Sequence, residues 1–118
     1  TTDGLKLSLE NISFEPDSAV LTKQEALRLK EIAKILTKYK DKHIRIVGHT
    51  ADRGTPEAQM KLSALRAKAV AKELLHYNAI TSKNTEIQGK GASEPIASNK
   101  TEKDRKKNRR VEIFITEE

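Results

Sequence analysis

The chain has no cysteine and no tryptophan, and its 118 residues include five glycines, three prolines and one methionine. Without cysteine there is no disulfide framework and no thiolate metal site, while the redox compartment stays open, because such a chain suits oxidising and reducing surroundings equally. Aromatic residues are 3% of the total: Phe14, Tyr39, Tyr77 and Phe114. That scarcity argues against single-stranded nucleic-acid binding, which relies on exposed rings to stack bases, so no nucleic-acid partner is expected. No apolar run approaches the roughly eighteen residues of a spanning helix, and no charged stretch leads into an apolar one as in a targeting signal. The fragment is expected not to insert into a membrane itself, and any anchor or export signal is expected to lie outside it. There is no nucleophile elbow and no phosphate-cradling glycine loop, and Ser63 has no histidine at the spacing of a dyad. Catalysis is therefore not expected, nor is a cofactor.

What the chain does have is charge and amphipathic pattern. Lys and Arg number 23 against 17 Asp and Glu, a net charge of +6, which favours acidic partners. Hydrophobic residues at 36% suffice for one modest core, hence one domain. Leu5, Leu7 and Leu9 alternate, but the phase changes before Ile12 and Phe14, which predicts a strand with a bulge or a short strand at residues 12–14. Thr22 followed by Glu25 forms a capping box for a helix over residues 22–39. Residues 43–49 alternate as a strand, central because Val47 on its second face is also apolar. Thr55 and Pro56 are an N-cap and first-turn pair, and Leu62, Leu65, Ala69, Val70, Leu74 and Tyr77 carry a second helix to about residue 78. "TEIQGKG" predicts a strand, residues 101–107 a short polar helix, and residues 111–116 a last strand with Val111, Ile113 and Ile115 on one face. The order β-α-β-α-β-β implies an α/β (α+β) two-layer sandwich, with one mixed sheet packed by two main helices.

Four features could carry chemistry. His43 and His49 share a strand face, but six residues of strand separate them by roughly 20 Å, too far for one ion, so no metal site is expected. His49 is a candidate to hold the turn after it by a side-chain hydrogen bond. On the second helix Gln59, Ser63 and Arg66 align beside Leu62, which presents the Arg66 guanidinium next to apolar surface. There its fork of donors suits a carboxylate, either a ligand's or that of a neighbouring Asp or Glu. The run "RKKNRR" at residues 105–110 is either a solvated charge cluster or, through Asn108 and Arg109 at the mouth of the last strand, a group aimed into a crevice.

The stretches "ISFEPDSAVL", "IVGHTADRGTPEAQMKLSALRAKAV", "IQGKGASEPIASN" and "DRKKNRRVEIFI" together resemble, in order and spacing, the OmpA-like C-terminal domain. That domain also occurs in peptidoglycan-associated lipoproteins and flagellar stator proteins. The combination of GHT, LSxxRA and NRRVE is specific, and the resemblance spans residues 11–115, so the domain is expected over 11–118, with 1–10 a linker end or an extension of the first strand. It implies a periplasmic domain of an outer-membrane or membrane-anchored envelope protein that grips peptidoglycan without covalent bonds, through the diamino acid of the stem peptide. In such domains an Asp after GHT pairs with the ammonium of diaminopimelate, and the Arg of LSxxRA takes its carboxylate. Carried over, that Arg is Arg66, the first Arg of NRR is Arg109, the Thr of GHT is Thr50, and the polar residue after the first-strand Phe is Asp17.

The chain departs from the pattern where Ala51 stands in place of the Asp and Gln59 in place of an Asn. Asp52 is adjacent, and Asp17 is a candidate replacement carboxylate. Losing one charge-assisted pair costs roughly 1.5–3 kcal/mol, about ten- to a hundredfold in affinity. The departure fits an ornithine-type stem, a fold that has exchanged wall binding for envelope-protein partners, or an Asp→Ala replacement. Ornithine lacks the far carboxylate, so the first of these also needs another carboxylate of the stem for Arg66.

Overall fold

The computed structural model describes residues 4–10, 12, 14 and 18–116. Its elements are β1 (Leu5–Glu10), α1 (Lys23–Leu36), β2 (His43–His49), α2 (Pro56–His76), β3 (Thr85–Gly89), α3 (Glu102–Asn108) and β4 (Arg110–Thr116). The four strands form one mixed sheet in the order β1-β4-β2-β3, with β4 antiparallel to both its neighbours and β2 parallel to β3. The expected sandwich architecture is what is found, with the last strand inserted between the first and second.

Alternation decides which side of the sheet each residue faces. Leu5, Leu7 and Leu9 pair with Ile115, Ile113 and Val111, and Ile44 and Ile46 continue the same face under the helices. Ile44, Ile46 and Ile113 are fully buried, as are Leu29 and Leu36 of α1 and Val70 and Leu74 of α2. Each such side chain contributes about 1.5–3 kcal/mol on leaving water, so this layer is the main source of stability. The first strand is Leu5–Glu10, and Phe14 makes an isolated bridge to Leu21; residues 11 and 13, on which the expected bulge or short strand also depends, lie outside the described residues. The first helix keeps its cap, Thr22 Oγ1 accepting from the Glu25 amide at 3.2 Å, but tightens into a 3-10 turn over Thr37–Tyr39.

The stripe α2 buries differs from the expected one. Leu65 is 44% exposed, whereas Gln59, Ser63, Ala67, Val70, Ala71 and Leu74 face inward. The reason lies in the sheet: β2 and β3 bring Gly48 and Gly89 under the first half of α2. A Cβ on Gly48 would stand 2.1 Å from the Ser63 carbonyl oxygen, and one on Gly89 2.4 Å from the Ala64 amide nitrogen. Backbone packs on backbone there, and only small residues fit the contact.

Among the described residues no helix is long and apolar enough to cross a membrane, and no group of three or more His, Asp or Glu is placed to hold a metal ion.

Candidate functional site

The chain leaves β2 at its carboxyl end and enters α2 through the turn that carries Thr50, Ala51 and Asp52. Turns at the carboxyl ends of parallel strands, running into a helix, are where α/β sheets open crevices. The Thr50 amide donates to the Gly91 carbonyl at 2.9 Å, tying the turn to the loop after β3. Thr50 Oγ1 is buried and has no hydrogen-bond partner among the described residues. Ala51 is also buried, at 4% exposure, while Asp52 is exposed. Gln59 holds this turn: its Nε2 donates to the carbonyls of Arg53 at 3.2 Å and Gly54 at 3.0 Å. The helix start is fixed by Thr55, whose Oγ1 accepts from the Ala58 amide at 3.1 Å.

Further along α2, Arg66 points to the segment between β1 and α1. Its Nε donates to the Ser18 carbonyl at 3.0 Å, and its guanidinium carbon lies 4.7 Å from the centroid of the Phe14 ring. An arginine stacked on a ring and hydrogen-bonded at Nε is fixed in orientation as well as place. Asp17 lies outside the described residues.

Arg109 stands between α3 and β4. Its carbonyl accepts from the Ile12 amide at 3.3 Å, so the segment that brings Phe14 to Arg66 is also tied to Arg109. The β2–β4 register pairs His49 with Arg110, which puts Arg109 beside the end of β2 where the Thr50 turn begins. The guanidinium of Arg109 is engaged by Glu102, Nη1 donating to Oε2 at 2.6 Å and Nη2 to Oε1 at 3.0 Å. These two hydrogen bonds hold the Glu102 carboxyl down at about 2 and push the Arg109 guanidinium up. Asn108 is not aimed into a crevice. It is fully buried, its Oδ1 accepting from the amides of Ile96 at 2.8 Å and Ala97 at 3.0 Å and its Nδ2 donating to the Ala97 carbonyl at 3.0 Å.

Behind the site, on the sheet face away from α1 and α2, lies a buried charged group. His49 Nε2 and Glu112 Oε1 are 2.8 Å apart, Arg110 Nε donates to Glu112 Oε2 at 3.1 Å, and Arg110 Nη2 donates to the Glu94 carbonyl at 2.9 Å. The His49 side chain thus binds β4 and not the turn after it, because alternation points it across the sheet to the strand neighbour. Burial, and then the Arg110 charge, push His49 below its ordinary value. Burial pushes Glu112 up, but the hydrogen bonds from Arg110 and His49 outweigh it and hold the carboxyl below the usual range.

Of the expected site residues, Thr50, Ala51 and Asp52 share one turn that Gln59 holds from α2, while Arg66 meets the Phe14 ring and the Arg109 carbonyl meets the Ile12 amide. Three more residues shape the region: Ser63 and Asn108, for which the sequence suggested other roles, and Glu102, which it did not single out. Ser63 Oγ accepts from the Gly91 amide at 2.9 Å and pins the loop after β3. Asn108 pins residues 96–97, and Glu102 engages Arg109. Only Glu102 had a local signal: it opens a short helix three residues before Arg105 and seven before Arg109 at the C-cap.

Residues 13–109 match the OmpA family. The chain is 34% identical over 106 residues to the probable lipoprotein YiaD of Escherichia coli, covering 90% of this chain and 48% of that protein. It is 36% identical over 104 residues to the peptidoglycan-binding protein ArfA of Mycobacterium tuberculosis, covering 88% of this chain and 32% of ArfA. The chain thus spans about half the length, or less, of these curated relatives. Among solved structures, the periplasmic domain of Helicobacter pylori MotB superimposes with a TM-score of 0.85 at 30% identity, covering 100% of this chain and 88% of that one.

Proposed function

The chain belongs to the OmpA family, and on that premise we propose that it binds peptidoglycan non-covalently through the stem-peptide diamino acid, tethering a periplasmic envelope protein to the cell wall. The role is one of binding, not catalysis. Arg66 and Arg109 take carboxylates of the stem, Thr50, Asp52 and the backbone around Ala51 line the approach, and Gln59 holds the turn. Asp17 is the candidate for the cationic end of the diamino acid.

The observation that carries this reading is the fixed guanidinium of Arg66, donating to the Ser18 carbonyl at 3.0 Å against the Phe14 ring. A surface arginine with no binding task loses rotamer freedom in such a setting, whereas one that must meet a planar carboxylate gains from arriving already oriented. A buried, uncharged Ala51 favours a second reading, a family member that has given up the wall and serves as a periplasmic protein-interaction module.

Co-sedimentation with purified sacculi separates the two. Diaminopimelate and ornithine sacculi are compared at about 0.3 M salt, where a screening length near 6 Å suppresses attraction from net charge alone. Pelleting of the parent but not of Arg66→Ala supports wall binding, and the preferred sacculus identifies the diamino acid. A parent that stays in solution with both sacculi rejects it in favour of the protein-interaction module.

A further inference from the structure

Glu102 opens α3, with Arg105 three residues further along the helix and Arg109 at its C-cap. Its two oxygens take both terminal nitrogens of Arg109, and Oε1 also accepts from Arg105 Nε at 3.2 Å. An end-on pair of this kind uses the same N–H directions that an incoming carboxylate would use, and it cancels the guanidinium charge. Arg105 is fixed independently, its Nη1 donating to the Asn99 carbonyl at 2.9 Å.

We propose that Glu102 is a built-in competitor for Arg109, so that a ligand carboxylate engages this guanidinium by exchange with Glu102 and not by simple addition. The inference rests on the reading of Arg109 as a carboxylate-binding residue. Two features make exchange feasible. The Glu102 side chain is 51% exposed, so its carboxylate can turn to water without opening the fold. It also keeps Arg105 as a partner after letting Arg109 go, which makes release less costly than breaking an isolated pair. With its carboxyl held near 2 while paired, Glu102 remains ionised, and the competition operates, at neutral pH. The consequence is selectivity: a neutral or cationic stem group gains nothing at Arg109, and only a carboxylate that outbids Glu102 is admitted.

The test is a titration of the isotope-labelled parent and its Glu102→Gln variant at constant ionic strength, followed on the Arg109 Nε–Hε resonance. Two probes are used, sodium acetate and a disaccharide-tetrapeptide muropeptide. Glu31→Gln makes the same charge change on the exposed side of α1 and serves as control. In Glu102→Gln the acetate midpoint is expected to fall roughly three- to fivefold, the scale of one exposed ion pair, while the control stays at the parent value. Glu102→Ala is expected to move it in the same direction, which guards against a change peculiar to the amide. Equal acetate midpoints in parent and both Glu102 variants would overturn the proposal, whatever the muropeptide does. An intact acetate difference with no muropeptide response in any protein would retain Glu102 as a competitor for carboxylates and remove peptidoglycan as the ligand.

Discussion

Gly48 in β2 lies against the backbone of Ser63 in α2, so closely that a Cβ on Gly48 would stand 2.1 Å from the Ser63 carbonyl oxygen. The obstacle is main chain, which cannot rotate aside, so the helix itself must lift. Gly48→Ala is therefore expected to cost about 3 kcal/mol or more, at the upper end of overpacking penalties. Urea unfolding checks this, and an unchanged midpoint would show that α2 is free to shift on the sheet.

Ser63 also connects α2 to the loop after β3, because its Oγ accepts from the Gly91 amide at 2.9 Å and donates to the Met60 carbonyl at 2.9 Å. Ser63→Ala removes the acceptor in a fully buried place and leaves the Gly91 N–H unpaired. The expected loss is about 1–3 kcal/mol. Amide exchange at Gly91 should accelerate more than exchange in β4; uniform acceleration throughout the sheet would mean that the bond has no local role.

Acid should weaken the fold through the group behind the site. The folded His49 sits below its ordinary 6.5, so as pH falls the unfolded chain takes up this proton first and stability drops from about that pH downward. Glu112, also held low, adds stability that is present above the ordinary carboxylate value and is lost as pH falls through its folded value. Urea midpoints measured from pH 8 to 4 are expected to be level above about pH 7 and to decline below it. His49→Gln should flatten the portion that begins near pH 6.5 while leaving the decline that sets in at the ordinary carboxylate value. A parent midpoint constant down to pH 5 would count against the buried neutral imidazole.

Most of the fold was legible because its signals are local. Thr22 and Thr55 cap helices where the sequence places them, and β2 occupies residues 43–49 as its alternation requires. What escaped were contacts set by the tertiary arrangement. A serine facing two glycines across a layer leaves no periodic trace, so Leu62 and Leu65 looked like the inner stripe of α2 while Ser63 occupied it. His49 pairs with a residue far along the chain, and nothing near it in sequence names Glu112. The parts of the candidate site were legible through the family motif, whereas the Glu102 contact to Arg109 depends on how α3 meets β4.

Arg66→Lys keeps the charge at the position but loses the planar fork and its stacking on Phe14. If the guanidinium geometry recognises a stem carboxylate, sacculus binding should fall about tenfold. Calorimetry with soluble muropeptide gives the number directly. Undiminished binding by the lysine variant would reduce the role of Arg66 to point charge.

Ala51→Asp sets stability against binding. The position is 4% exposed, so a carboxylate there loses water in the free protein and is expected to cost about 1–3 kcal/mol. Against a ligand ammonium, the same carboxylate gains a charge-assisted pair of roughly 1.5–3 kcal/mol, about ten- to a hundredfold in affinity. The variant should therefore melt below the parent when alone and show the larger rise in melting temperature on adding diaminopimelate muropeptide, since a ligand stabilises in proportion to the logarithm of its occupancy ratio. A lower melting temperature with no larger ligand response would mean that position 51 faces the protein interior and not the stem peptide, and the cationic end of the ligand would then have to be met elsewhere, with Asp17 the first residue to vary.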